Sequence, residues 1–268
     1  MEYMLTWRTR RQFAAIAILV IFIGAMIFAV IFRALPEKTC FDNRRNQGEE
    51  GVDCGGPCVS CALKNPKPLT VFWTKAIAAG NHVYDVAAQI ENPNIEVAPV
   101  KIIYDIVLAD RFGEIARKRG ETFMYAKDSM YFVDSIVAEA EKDRRPRRVE
   151  FEIQETAWDL LAKAERPNIF SERSEYGVEE LEAGRQSVIT ASVLNRSPLA
   201  FRVADVRFLA FDSEDNLLGA NRIIVENFLP GTRRSVRSVW PKEFPVSPER
   251  IAVEVRANSF DRANLLEP

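Results

Sequence analysis

The sequence has few of the residues on which hydrolytic and metal-dependent catalysis depends. Among 268 residues there is one histidine, His82, and no cysteine follows Cys61. A single histidine excludes every catalytic scheme and every zinc site that needs two imidazoles. Glycine-rich phosphate loops, nucleophile elbows and Glu-x-x-His patterns are also missing. We therefore expect a protein that is not an enzyme, and we interpret His82 as a structural or exposed residue.

An excess of charge of either sign is missing as well. The chain has 36 Lys and Arg residues against 38 Asp and Glu residues, which gives a net charge of −2 at pH 7. Nucleic-acid-binding domains usually carry a strong basic excess, so nucleic acid is not an expected partner. The apolar fraction of 47% is that of a chain that buries a core, and it argues against disorder.

One long apolar run is present, and it lies near the N-terminus. No residue between Gln12 and Phe32 is charged. At a rise of ~1.5 Å per residue, residues 13–32 can cross the ~30 Å hydrocarbon core of a bilayer as a helix. Three arginines precede the run, so the positive-inside rule places residues 1–12 in the cytoplasm and the rest of the chain outside.

A cleavable signal peptide is the main alternative to a membrane anchor. Its apolar region is usually ~7–15 residues long and ends in a small-x-small cleavage site. Here the run is longer, and the bulky Ile31, Phe32 and Arg33 occupy the position of such a site. The sequence therefore favours an uncleaved signal anchor in the cell membrane.

All four cysteines lie in one short segment after this run. They are Cys40, Cys54, Cys58 and Cys61. The segment has too few apolar residues for a core, so a covalent or metal cross-link must hold it. Outside the cytoplasm we expect two disulfides, in any of three pairings, with a tight reversal at Gly55-Gly56. The wide gap between Cys40 and Cys54 disfavours a Cys₄ zinc site, and the prolines after Cys61 disfavour the helix of a redox Cys-x-x-Cys.

The same segment carries oxygen atoms suited to a hard cation. They belong to Asp42, Asn46, Glu49 and Asp53. Calcium prefers carboxylate and amide oxygens, so the loop is a candidate calcium site, although its spacing is not that of an EF-hand. A solvated acidic loop is the other interpretation, and no other cofactor is expected.

The spacing of these residues resembles a cysteine-rich module of bacterial surface proteins. Residues 40–61 follow the pattern C-x-D-x-x-x-N-x-G-E-x-G-V-D-C-G-G-x-C-x-x-C. The segment is similar to one in uncharacterised membrane-anchored proteins of candidate bacterial phyla, where it follows a single N-terminal helix. The resemblance implies a surface location and no particular chemistry.

From Leu69 onward, alternating apolar residues separated by turn formers predict β-strands. The first set comprises Thr70–Ala76, His82–Glu91, Val100–Ala109, Ile115–Met124, Met130–Val137 and Arg148–Ile153. Within the third of these, Ile102, Tyr104, Ile106 and Leu108 form the more apolar face. We expect this face to point into a core.

The same order of strands then recurs. The second set comprises Ser187–Asn195, Phe201–Asp212, Leu217–Val225, Thr232–Trp240 and Arg250–Arg256. A constant offset of 102 residues relates Asp110 to Asp212, Ile115 to Leu217, and Arg148 to Arg250. We therefore predict a mainly β protein with two tandem sandwiches, residues 69–155 and 171–258.

The remaining segments connect or end these parts. Residues 33–68 are expected to form a disulfide-rich stalk and linker. Residues 156–170 are expected to form a helical linker, because Thr156–Glu165 has the apolar spacing of a short helix. Residues 259–268 are expected to be a frayed tail.

The strand over residues 208–212, with Asn195 before it and a Leu-Pro-Gly turn after it, resembles the FxLYD-type domain. That domain is an immunoglobulin-like sandwich of bacterial extracytoplasmic proteins. The resemblance implies the same fold and compartment for roughly Phe72–Asn258, and it implies no ligand. Ala210 and Phe211 stand where leucine and tyrosine are usual.

Arginines form the sharpest charge cluster. They are Arg144, Arg145, Arg147 and Arg148, with Arg233 and Arg234 as an extension. Acidic neighbours in residues 139–150 offset much of the field, so a solvated turn is one interpretation. Contact with an anionic glycan or another polyanion is the other.

Together these features predict a membrane-anchored, extracytoplasmic structural or interaction protein of the cell envelope. Its expected partners are the membrane, other envelope proteins or surface glycan. A polyanion-binding surface module and a calcium-binding stalk are the alternatives. A buried polar cluster at the junction of the two domains would favour an enzyme instead. Partner identity, disulfide pairing, oligomeric state and the orientation of the sandwiches stay open.

Overall fold

The computed structural model describes residues 7–34, 39–80, 82–138, 144–160, 166–182 and 184–266. The chain divides into two compact units, Met1–Lys64 and Asn65–Pro268. The first unit holds an apolar helix and the cysteine-rich segment, and the second consists almost wholly of β-strands. The predicted mainly β fold with one N-terminal apolar helix is confirmed.

Helix α1 spans Trp7–Ala34. Within its segment Thr9–Val30, the most apolar window of 18 residues has a mean hydropathy of 3.0, and none of that window is buried by protein. Because exposed apolar surface of this extent is unfavourable in water, the helix suits a lipid environment. A membrane anchor and a signal sequence both have this property. Helix α2, Cys61–Lys64, ends before the prolines that follow it.

The described part of the second unit contains twelve strands. They are β1 (Thr70–Ala78), β2 (Val83–Glu91), β3 (Val97–Asp110), β4 (Gly113–Thr122), β5 (Ser129–Val137), β6 (Arg148–Leu160), β7 (Ile169–Leu181), β8 (Gly184–Asn195), β9 (Phe201–Phe211), β10 (Leu217–Phe228), β11 (Arg233–Trp240) and β12 (Arg250–Arg256). A short 3₁₀ helix, Arg262–Asn264, follows β12.

The strands form four three-stranded antiparallel sheets, and the second half of the unit repeats the topology of the first. The sheets of the first half have the orders β1-β2-β5 and β4-β3-β6. Those of the second half have the orders β7-β8-β11 and β10-β9-β12. Each strand of one half therefore has its counterpart six strands later. The sequence repeat is thus a repeat of structure.

Each half encloses its own apolar core between its two sheets. The predicted face of β3, with Ile102, Ile106 and Leu108 wholly buried, points into the first core, so that prediction is confirmed. The equivalent face of β9 places Val206 and Phe208 in the second core. Both copies therefore show the period-of-two alternation that a strand with one buried face requires.

The two sandwiches also pack against each other, sheet on sheet. Ala87 and Val133 lie on the outer face of the β1-β2-β5 sheet, and they form one buried cluster with Leu209, Phe211 and Ala220 of the β10-β9-β12 sheet. The second unit is therefore a stack of four layers with three apolar seams. A sheet buried on both faces has little freedom to move relative to its neighbours.

Strand β7 is absent from the strands predicted from the sequence. Ile169 is the only buried residue of this thirteen-residue strand, and most of the others are exposed. As an edge strand pairing only with β8, it carries acidic and serine residues rather than an apolar alternation. Strand signals that depend on burial are weak at such an edge.

The helix predicted over Thr156–Glu165 is wrong where the structure describes it. Residues 156–160 continue β6, in which Ala157 pairs with Lys101 and Leu160 with Val97. Residues 161–165 lie outside the described residues. The apolar spacing of this segment reflects one face of a twisted edge strand rather than a helix.

The frayed tail is also wrong for residues 259–266. Leu265 forms a β-bridge with Phe201, and the Leu266 N–H donates to the Ala200 carbonyl (2.9 Å). Phe260 packs on Tyr125 of the first sandwich, with ring centroids 5.1 Å apart. The segment after β12 therefore contacts both sandwiches.

Candidate functional site

Two disulfides cross-link the cysteine-rich segment, as the sequence predicts. Cys40 is bonded to Cys58 and Cys54 to Cys61, with Cα–Cα distances of 5.6 and 4.8 Å. Gly55 and Gly56 both have positive φ, and a Cβ on Gly56 would lie 2.5 Å from the Gly48 carbonyl oxygen. The predicted reversal is therefore present, and it depends on glycine.

The predicted calcium ligands act mainly as acceptors for the backbone of their own loop. The buried Glu49 carboxylate accepts the N–H groups of Asn46 (3.1 Å) and Asp53 (3.2 Å). The buried Asp53 carboxylate accepts the Asn43 N–H at 3.0 Å. Asp42 accepts the side-chain amide of Asn46 at 2.6 Å. Asn43 and Asp53 have positive φ, so the loop here is neither helix nor strand. Its backbone N–H groups therefore lack the carbonyl acceptors of regular structure, and the side-chain carboxylates accept from them instead.

The carboxylates of Asp42, Glu49 and Asp53 do not bring three oxygens within 4.8 Å of one another. In the described part of the chain, one group brings three potential ligand atoms within 4.8 Å of one another: Cys40, Glu49 and Cys58. Two of its members are bonded to each other, so they offer no thiolate. The same bonds remove the thiolates that a Cys₄ zinc site needs. Calcium binding by Asp42, Asn46, Glu49 and Asp53 stays a prediction.

Half of the predicted polyanion-binding arginines contact carboxylates of the protein itself. The Arg144 Nε donates to Asp110 at 2.8 Å, and its NH2 group donates to the Gly113 carbonyl at 3.0 Å. Hydrogen bonds from Arg144, opposed in part by burial, lower the pKa of Asp110 to about 2. Arg148 pairs with Glu150 (3.1 Å) and Arg233 with Glu172 (2.6 Å).

The structure therefore does not unite the six arginines into one patch. Arg145, Arg147 and Arg234 are exposed, and no ion pair involves them within the described residues. Arg144 closes the β3–β4 hairpin, whereas Arg234 lies on β11 of the other sandwich. Binding of a polyanion by these residues stays a prediction.

Buried charge is concentrated instead at the junction of the two sandwiches. Arg256 of β12 and Asp128, which precedes β5, form an ion pair in which both side chains are about 1% exposed. Arg256 also pairs with Glu254 (2.6 Å), and Arg166 pairs with Asp128 (3.0 Å). Burial alone would lower the pKa of Arg256, but Glu254 and Asp128 raise it.

The same cluster also provides hydrogen-bond partners for backbone groups at one edge of the first sandwich. The backbone N–H of Tyr131 on β5 donates to Glu254 (2.7 Å), and its carbonyl accepts from Arg207 (2.7 Å). β5 is an edge strand, so these backbone groups have no neighbouring strand to bind. Side chains of the second sandwich therefore replace a missing strand at this position.

This is the type of buried polar cluster that would favour an enzyme. Its carboxylates, however, accept hydrogen bonds from arginines and from the backbone N–H groups of Tyr125 and Tyr131. These hydrogen bonds connect the carboxylates to groups of both sandwiches. We interpret the cluster as a structural contact between the sandwiches.

Each sandwich also has a buried asparagine of its own at the end of its second strand. The Asn92 amide donates to the carbonyls of Val97 (3.1 Å) and Tyr125 (2.9 Å). The Asn195 amide donates to those of Leu199 (2.8 Å) and Phe228 (2.9 Å). The two asparagines are 1% and 0% exposed. Each asparagine side chain therefore connects the end of its own strand, by hydrogen bonds, to backbone of the other sheet of the same sandwich.

Comparison with known proteins identifies no relative: no protein-family model matches the chain, and no curated protein matches it. The site residues that sequence reasoning missed are Asp128, Arg207, Glu254 and Arg256. A signal was present, because Arg207, Glu254 and Arg256 interrupt otherwise apolar strands on the face opposite the core residues. Charges at such positions indicate a second, partly polar packing surface.

Proposed function

We propose that this protein is a non-enzymatic, single-pass membrane protein whose β unit is a rigid interaction module outside the cytoplasm. The supporting observation is an apolar helix without protein cover, followed along the chain by two disulfides. The helix needs a lipid environment, and disulfides persist in oxidising compartments. The order of these two features along the chain supports the N-terminus as the cytoplasmic end.

The β unit supports binding rather than catalysis. The outer face of the β4-β3-β6 sheet is covered by ion pairs such as Arg119–Asp105 (2.8 Å) and Lys101–Glu121 (2.9 Å). Strand edges and loops are therefore the surfaces available to other envelope proteins. The first, second and fifth strands of each copy share a sheet, which supports the predicted immunoglobulin-like fold and the relation to FxLYD-type domains.

Intact mass tests the topology directly. Cells producing the full chain are lysed in excess alkylating reagent, and the protein is extracted from the membrane in detergent. We expect a mass that includes residues 1–34, lacks any label and is four hydrogens light, as two disulfides require. Trypsin is then added to cells whose outer envelope layers have been removed but whose cytoplasmic membrane is intact, and it is expected to digest the β unit.

A matched variant controls for orientation. Replacing Arg8, Arg10 and Arg11 by Glu removes the positive flank and is expected to reduce the fraction of chains whose β unit is accessible. Four labelled cysteines with a protected β unit in the unaltered chain would overturn the proposal. Loss of residues 1–34 from the extracted protein would replace the anchor by a signal peptide.

A further inference from the structure

We propose that a pocket between the two sandwiches binds a small organic ammonium compound, whose charged group contacts Asp85. Ligand binding in this pocket would be a second function, and it does not depend on the membrane-anchoring role proposed above. Its volume is about 430 Å³, within the range of small-molecule sites, which often lie between domains. Its apolar wall includes Ile77, Ala79, Leu218, Ala220, Trp240 and Phe244.

Asp85 is the carboxylate in this wall that has no cationic partner in the part of the chain that the structure describes. It lies on β2 opposite Ile77 of β1, at the margin of the contact between the sandwiches. Its Oδ1 accepts the Ser135 hydroxyl at 2.6 Å. Its Oδ2 has no hydrogen-bond donor among the described residues and is not sealed from solvent.

Burial makes this carboxylate receptive to a positive charge. Loss of water raises the pKa of Asp85, and the nearby Asp134 raises it further. A charged ligand that donates to Oδ2 would return the hydrogen bond and the countercharge that the site lacks. The apolar wall then accommodates an alkyl chain attached to that charge.

The rest of the lining favours an organic cation over a metal ion. Calcium and magnesium need several oxygen ligands, whereas Glu243, the other carboxylate of the wall, is paired with Arg185 (3.0 Å). Trp240 and Phe244, with ring centroids 5.1 Å apart, supply aromatic surface that attracts ammonium groups. The exposed Lys242 at the rim disfavours ligands of higher positive charge.

Nuclear magnetic resonance titration of the full chain in maltoside detergent tests the proposal, because this detergent has no ammonium group. The probe is n-pentylammonium, and n-pentanol is the neutral control. We expect the amine to shift the amide signals of Gly80 and Gly219 and the indole signal of Trp240 with saturation. Asp85→Asn is expected to weaken amine binding about tenfold or more and leave pentanol unchanged.

Two further variants make the result decisive. Glu214→Gln removes an exposed carboxylate outside the pocket and is expected to bind the amine as the unaltered chain does. Ile77→Lys places an ammonium group directly across the strand pair from Asp85, and it is expected to weaken amine binding by competing for that carboxylate. Equal binding of amine and alcohol, an unaltered affinity in Asp85→Asn, or no shift at these three signals would overturn the proposal.

Discussion

Arg256 carries a full positive charge into the contact between the sandwiches. Burying a charge is costly, and it is tolerated when hydrogen-bonded partners of opposite charge surround it. Asp128 and Glu254 supply that charge, and the faces of Phe123 and Tyr125 lie 5.6 and 5.8 Å from the guanidinium. The guanidinium thus joins groups from both sandwiches.

Removing this side chain should destabilise the protein strongly. Arg256→Met leaves the buried Asp128 with only the exposed Arg166 among the described cations and removes the ion pair of Glu254, so we expect a loss of about 3–5 kcal/mol in the free energy of unfolding. Chemical denaturation of the full chain in detergent, followed by tryptophan fluorescence, measures this. Arg148→Met, which breaks the exposed pair with Glu150, is the control and should cost less than about 1 kcal/mol. Equal effects of the two variants would refute the structural role of the buried cluster.

Asp110 provides a prediction on pH. Arg144 lowers its pKa to about 2, below the ~3.9 of an unfolded chain. The stabilisation from this pair is therefore complete above pH ~4 and is lost as the pH falls towards 2. Carboxyl ¹³C titration is expected to give a midpoint near 2, and Arg144→Gln should raise that midpoint while leaving the titration of Asp212 unchanged. A midpoint near the ordinary value in the unaltered chain would contradict the pairing.

At the scale of the elements, the asparagine at the end of β2 and β8 connects the two sheets of each sandwich. A turn between sheets leaves backbone carbonyls that no strand can pair, and a side-chain amide has two N–H groups to donate. Asn92 and Asn195 use both. The repeat therefore preserves a hydrogen-bonding function as well as an apolar pattern.

Both asparagines should matter to a similar extent. Asn195→Ala and Asn92→Ala each remove two side-chain hydrogen bonds from buried or part-buried carbonyls, and we expect each variant to lose about 1–3 kcal/mol of stability. Asn168→Ala is the control, since this exposed side chain lies beside the same turn, and its effect should stay within about 0.5 kcal/mol. Thermal unfolding ranks the three variants. A loss confined to one of the two buried positions would show that the copies differ in this function.

In the molecule as a whole, the outer face of the equivalent sheet is covered by protein in the second sandwich and carries charged residues in the first. Leu209 on β9 is fully buried against the first sandwich, whereas its counterpart on β3, Val107, lies on a face whose neighbours include Arg117 and Arg119. Charged side chains on that face prevent a third sandwich from stacking in the same way. The outer face of the β4-β3-β6 sheet carries charged residues where the equivalent face of the β10-β9-β12 sheet is apolar. This difference explains why the first of these faces lies at the outside of the stack of sheets.

This difference predicts how the molecule unfolds. Leu209→Lys places a charge in the contact between the sandwiches, so we expect the single calorimetric transition of the β unit to separate into two. Val107→Lys is the matched control. Val107 is also buried, but its neighbour across the strand pair is Arg117 of a charged outer face, so a lysine there can extend past that face into solvent and one transition should be retained. A single transition in both variants would show that the two sandwiches are joined by contacts other than this seam.

Sequence reasoning succeeded where a local pattern had a single physical meaning. Eleven of the strands now seen lie where alternation placed them, and the offset between Asp110 and Asp212 relates equivalent hairpin turns. It failed for β7, which is too exposed to alternate, and for Thr156–Leu160, whose spacing also suits a strand. It also failed for the C-terminal segment, because polar residues there bind backbone groups that are distant in sequence.

The apolar helix, the cross-linked segment after it and the duplicated β architecture can all be predicted from the amino-acid sequence, since the pattern that indicates each of them lies in residues close together in the chain. Tertiary structure alone decided which cysteines are bonded and which face of each sandwich is covered. It also decided that Arg256 meets Asp128 and that a pocket forms beside Asp85. The cysteine pairing joins residues only 18 and 7 positions apart, but it depends on how the loop folds, and the spacing alone allows three pairings. The contact between Arg256 and Asp128 and the pocket beside Asp85 bring together residues more than a hundred positions apart, and no local pattern of side chains specifies such a contact.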